Sequence, residues 1–140
     1  MLKRFQSIDL KAEISNIIDR TSQDLIQLNQ SQLFDKGVNA DNEELQPYTF
    51  LTEFYKREKG QPFDRTTLKD TGAFYAGFNI KTSDQFIIFD STDSKTSDLE
   101  QKYGNRIFGL TPENKTAYSF GTFYDNVKRY ISQKTGLSFS

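Results

Sequence analysis

Apolar residues recur from Leu10 at steps of three and four: Leu10, Ile14, Ile17, Ile18, Leu25 and Leu28, with Thr21 in the same stripe. This is the helical period, and Lys11, Glu13, Asn16, Asp19, Arg20, Gln23 and Asp24 occupy the other side. The spacing predicts an amphipathic helix over about residues 8–33, ending near Gly37. Its narrow aliphatic stripe suits packing within its own domain or against a neighbouring copy.

The pattern then breaks. Asp35-Lys36-Gly37, Asp41-Asn42, Gln46-Pro47, Lys59-Gly60 and Gln61-Pro62 are turn or breaker signals. Between them, Tyr48 to Lys59 carries Phe50, Leu51, Phe54 and Tyr55 at a spacing that predicts a short helix. An irregular stretch of this length is uncommon in a compact domain unless it is used, so residues 34–70 are expected to form an extended arm towards a partner. After a turn at Thr71-Gly72, Phe78 and Ile80 alternate with Asn79 and Lys81, the pattern of a half-buried strand. Thr82 to Gln85 supplies a hairpin turn and Phe86-Ile87-Ile88-Phe89 a second strand. Four consecutive apolar residues point to a strand covered on both faces, by a helix or by a second subunit.

Leu99 to Tyr103 reads as a helical turn stopped by Gly104, placed for a left-handed cap. Thr111-Pro112-Glu113 is a strong helix start: a capping Thr, Pro at the first helical position and an acid against the dipole. Ala117, Phe120, Phe123, Tyr124, Val127, Tyr130 and Ile131 keep helical spacing up to Gly136. Gly121 is expected to mark a close helix contact, at a cost of about 1 kcal/mol relative to Ala.

Composition narrows the chemistry. The chain has 140 residues, the size of one domain, with 35% hydrophobic and 26% charged residues and a net charge of -1. That balance argues against a protein whose main task is to coat nucleic acid or an anionic membrane. Thirteen Phe and seven Tyr supply the core material. Cys, His and Trp are absent, so there is no disulfide, no thiolate zinc site and no histidine base. The longest apolar run, residues 86–89, is far below the ~20 residues of a membrane span. Lys3-Arg4 is followed by Gln6, Ser7 and Asp9 where a signal peptide needs apolar residues, which leads to the expectation of a soluble cytosolic protein.

Asp90, Asp93 and Asp98 lack the alternating ligands, central Gly and final Glu of a calcium loop. Asp90, Glu100 and Lys102 follow the Asp…Glu-x-Lys order of metal-dependent nucleases, which keeps that class as the enzymatic alternative. The run Lys56-Arg57-Glu58-Lys59 beside Tyr55 is diluted by Glu53 and Glu58 and reads as a solvated face. The glycines form no phosphate loop, and the serines sit in no nucleophile elbow. The aromatic surplus is the positive signal: some rings should be buried only in an oligomer.

An ordered series of motifs carries a family resemblance. Leu33-Phe34-Asp35-Lys36-Gly37, Gln46-Pro47-Tyr48, Phe54-Tyr55-Lys56, Lys59-Gly60-Gln61-Pro62, Leu68 to Phe74 and Lys102 to Leu110 follow one another. Over about residues 30–120 the chain resembles small phage tail-completion or virion-morphogenesis proteins, in the form found in Bacteroides-type phages and prophages. Where the wider family often has a His, this chain reads Arg106-Ile107-Phe108-Gly109-Leu110. The resemblance implies a non-enzymatic virion protein, assembled in the host bacterial cytoplasm. It would complete the head–tail junction or tail end as a ring-forming homo-oligomer. Its neighbours would be portal or connector proteins and tail or neck proteins, and the ring would let DNA pass without specific nucleic-acid binding. No cofactor, metal or membrane enters. A monomeric adaptor is the non-catalytic alternative.

The expected fold is therefore α+β in a single domain: an N-terminal amphipathic helix (1–33), an arm (34–70), and a β-hairpin with a long C-terminal helix (71–140) whose small antiparallel sheet packs against that helix. Tyr48, Phe54, Tyr55, Thr71, Gly72, Phe74 and Tyr75 are the expected subunit or partner contacts, with Gly72 allowing a positive φ.

Overall fold

A computed structural model of the chain describes residues 10–83 and 86–136. The start of the expected first helix and the Asp84-Gln85 turn lie outside these residues. The fold is α+β, with an N-terminal helical segment, a two-stranded antiparallel sheet and a long C-terminal helical run.

Helices α1 (Leu10–Arg20) and α2 (Ser22–Ser31) are the single helix of the sequence pattern, bent at Thr21. The Thr21 hydroxyl donates back to the Ile17 carbonyl at 2.8 Å beside its own N–H at 3.0 Å, and the break is at Thr21 itself, whose ψ of 15° leaves the helical range. The same hydroxyl shares a hydrogen bond of 2.7 Å with the Tyr118 phenol, so the bend also docks the C-terminal run. A π-helical turn, Gln32–Lys36, ends at Gly37 with φ 65°. A side chain there would meet Arg65 Cβ at 3.0 Å as well as an unfavourable φ.

Residues 34–70 are not an extended arm. They fold back onto the body, burying Val38, Ala40, Leu45, Thr66, Thr67 and Leu68. Polar side chains on this segment capture backbone carbonyls: Arg65 Nε donates to Phe34 at 2.6 Å, and Thr66 Oγ1 to Gln46 at 2.5 Å. Helix α3 (Phe50–Glu58) begins at Thr49, whose hydroxyl accepts the Thr52 N–H.

A single turn, α4 (Ala73–Ala76), leads into β1 (Phe78–Thr82) and β2 (Ile87–Ser91), paired with Ile80 opposite Phe89 and Lys81 opposite Ile88. Helix α5 (Thr96–Tyr103) stops at Gly104, whose φ of 88° and ψ of 161° differ from the expected left-handed cap but are equally open only to Gly. Thr111 caps α6 (Pro112–Tyr118) by accepting the Asn114 N–H. A π-helical turn, Ser119–Phe123, joins α6 to α7 (Tyr124–Thr135). Gly121 lies in that turn, and a Cβ there would meet nothing within 4 Å, so it marks no close contact.

Two apolar clusters hold the layers. Ile26, Leu33, Leu68, Phe74, Phe78 and Phe108 form the larger one, with the Phe74 and Phe78 rings 5.0 Å apart, edge to face. Ile18, Leu25, Leu110 and Tyr118 form the second, and Ile80 and Phe89 of the sheet pack against both. Each such side chain contributes about 1.5–3 kcal/mol on burial. Among the described residues no helix is long and apolar enough to cross a membrane.

Candidate functional site

The seven expected contact residues separate into two places. Tyr48, Thr71, Gly72 and Phe74 meet around a small pocket of about 140 Å³. Beside it the Tyr48 phenol accepts the Thr67 N–H at 2.9 Å, and Tyr75, which borders a separate pocket with Phe34 and Asp35, donates its phenol to the Thr67 carbonyl at 2.5 Å. Two tyrosines from different segments thus satisfy one fully buried threonine. Burial pushes the Tyr75 phenol well above the ordinary tyrosine range; Tyr48 and Asp35 add to this and Arg65 opposes it. Phe74 is buried in the core, so its ring offers nothing to a partner. Thr71 is exposed and accepts the Ala73 N–H, and Gly72 has the positive φ, 91°, that its position requires.

Phe54 and Tyr55 lie elsewhere, on α3, with their rings 5.9 Å apart. At 100° per residue, Phe50, Leu51, Phe54 and Tyr55 form one apolar stripe, and all four are exposed, Phe50 at 85%. The residue that α3 buries is Lys56. Its ammonium lies over the Tyr48 ring, Nζ 5.0 Å from the centroid, and donates to the Lys69 carbonyl at 2.9 Å. The helix is therefore mounted with its lysine inward and its aromatic face outward.

A second apolar surface runs along β2. Phe86 is 68% exposed and Ile88 46%, so the described residues do not cover this strand on both faces. Among the described residues β2 pairs only with β1. In the alternating antiparallel ladder, the Ser83–Phe86 exchange makes 81/88 and 79/90 the bonded pairs, leaving the backbone groups of Ile87 and Phe89 pointing away from β1. Beside β2 lies a groove of about 770 Å³, bounded by Phe86, Ile88, Leu110, Tyr118 and Phe123 among others. Glu100, Arg106 and Lys115 supply its charged groups. Phe120 and Tyr124, farther along the C-terminal run, are also exposed.

The expected contact residues include neither Phe86 nor Ile88, although the apolar run 86–89 is the signal in the sequence for this exposed surface. The nuclease set is dispersed in role. Asp90 Oδ1 accepts the Ser91 N–H at 2.8 Å, Glu100 borders the groove, and Lys102 Nζ lies 5.2 Å from the Tyr103 ring centroid. Among the described residues no group of three or more carboxylates is placed to hold a metal ion. Scanned against protein-family models, curated proteins and solved structures, the chain matches none of them.

Proposed function

We propose that this chain is a non-enzymatic structural subunit that works by packing against other chains, completing the head–tail junction or tail end of a phage virion as a member of a ring. The observation that carries the packing role is the inverted mounting of α3, with Lys56 buried and Phe50, Leu51, Phe54 and Tyr55 facing solvent. Contiguous exposed apolar surface of this kind marks a site for another protein. The open groove along β2 is a second such surface on the same molecule. The phage setting rests on the ordered motif series between Leu33 and Leu110.

Electron microscopy of the purified chain at tens of micromolar tests the role. Closed rings of uniform diameter are the expected particles. A field containing only objects of 16.2 kDa size stands against it.

A further inference from the structure

We propose that copies of this chain join head to tail by seating the aromatic face of α3 from one copy in the groove along β2 of the next. The inference rests on the assembly role above and specifies its contact.

Three observations select a second copy as the occupant. The first is fit. A nine-residue helix is ~14 Å long, and the five residues of β2 span ~17 Å. The anchors Phe50, Phe54, Leu51 and Tyr55 stand at the i, i+3 and i+4 spacings by which an amphipathic helix enters an apolar groove. The second is charge. Glu58 on α3 and Lys115 beside the groove are both exposed, and neither has an ion-pair partner among the described residues. Joining the two surfaces would set Glu58 at a groove whose charged groups are Glu100, Arg106 and Lys115, two of the three basic.

The third is area. Scaling ~150–250 Å² per aromatic side chain by the exposed fractions on α3 and on Phe86, with proportionate values for Leu51, Ile87 and Ile88, gives on the order of 700 Å² of apolar surface. Interfaces are ~60% apolar, so the total is roughly 1,200 Å², at the lower edge of the range for a stable contact.

The two surfaces are different patches of one molecule, so their contact is heterologous. Repetition generates a ring if the rotation closes and a filament if it does not. A two-fold dimer would need both junctions to form at once between the same two copies, each α3 in the other's groove.

The test uses two full-length variants, Phe50→Glu and Phe86→Glu, with wild type alongside, in mass photometry and analytical ultracentrifugation. Both side chains are mostly exposed, and an unchanged thermal melt monitors the fold of each. Each variant alone is expected to remain at 16.2 kDa. Mixed one to one, they should form a heterodimer of twice that mass and go no further. Phe50→Glu keeps its groove and Phe86→Glu keeps its helix, so the mixture holds one intact junction.

A wild type that assembles while either variant assembles equally well overturns this inference and leaves the assembly role standing. So does a mixture that stays monomeric. Loss of assembly in Phe86→Glu but not in Phe50→Glu would mean that another segment fills the groove, which also overturns it. A wild type that is monomeric at every concentration overturns both.

Discussion

The side-chain amide of Asn29 donates from Nδ2 to the Ile107 carbonyl at 3.0 Å, 78 residues along the chain. Its Oδ1 accepts the Gly109 N–H at 2.9 Å, so one fully buried amide reads the backbone on both sides of Phe108. One turn later Gln32 continues the seam, with Oε1 accepting from the Thr111 N–H at 2.9 Å and from Asn114 Nδ2 at 2.8 Å. The bend helix is thereby fastened to the segment that starts the C-terminal run and forms part of the groove. Replacing Asn29 by Ala strands a buried carbonyl and a buried N–H, each worth about 1–3 kcal/mol. The expected loss is about 2–4 kcal/mol in urea denaturation; a loss under ~1 kcal/mol would mean that the seam is not structural.

Tyr75 makes stability fall at alkaline pH. Its phenol loses its proton near pH 10 in the unfolded chain and at higher pH in the folded one. The stabilising contribution is thus complete below pH 10 and is lost as pH rises through the folded value, at up to ~1.4 kcal/mol per pH unit. Tyr118, raised chiefly by burial against the opposing hydrogen bond of Thr21, acts in the same direction. Tyr75→Phe should cost ~1 kcal/mol near pH 7, for the bond to Thr67, and should give a shallower decline above pH 10. Melting curves from pH 7 to 11 on both proteins would show it; parallel slopes would count against the account.

Two glycines should respond in opposite senses to Ala. At Gly77 a Cβ would stand 2.6 Å from Ser91 Oγ and 3.0 Å from the Thr92 and Asp93 backbone nitrogens. Those nitrogens belong to the end of the hairpin, where the Thr92 N–H bonds to the Gly77 carbonyl at 2.9 Å. Backbone cannot yield as a side-chain tip does, so Gly77→Ala should destabilise by about 1–3 kcal/mol. Gly121 meets nothing, so Gly121→Ala should stabilise the C-terminal run by up to ~1 kcal/mol. Paired thermal melts decide both.

The helix start at Thr111 was fully legible in the sequence, because a cap is a local bargain between a hydroxyl and an N–H three residues on. Thr111→Ala should cost about 1 kcal/mol by the same logic, measurable by denaturant unfolding. The period of α1 and α2 and the hairpin were legible too, since both are set by near neighbours. What could not be read depends on distant partners. Nothing near Lys56 in sequence announces that Tyr48 and the Lys69 carbonyl will receive it, so the inversion of α3 is invisible to a rule that turns apolar residues inward. The pairing of Tyr48 and Tyr75 on Thr67 is hidden for the same reason, and with it the folding back of residues 34–70. The run Phe86 to Phe89 signals a strand, but its choice between a helix and a second subunit as cover cannot be read locally; among the described residues Phe86, Ile87 and Ile88 stay exposed.

The mass of the purified wild-type protein as a function of concentration tests self-association most directly. The account predicts particles at a fixed multiple of 16.2 kDa that dissociate on dilution. A mass that stays at 16.2 kDa up to the highest concentration reached would contradict it.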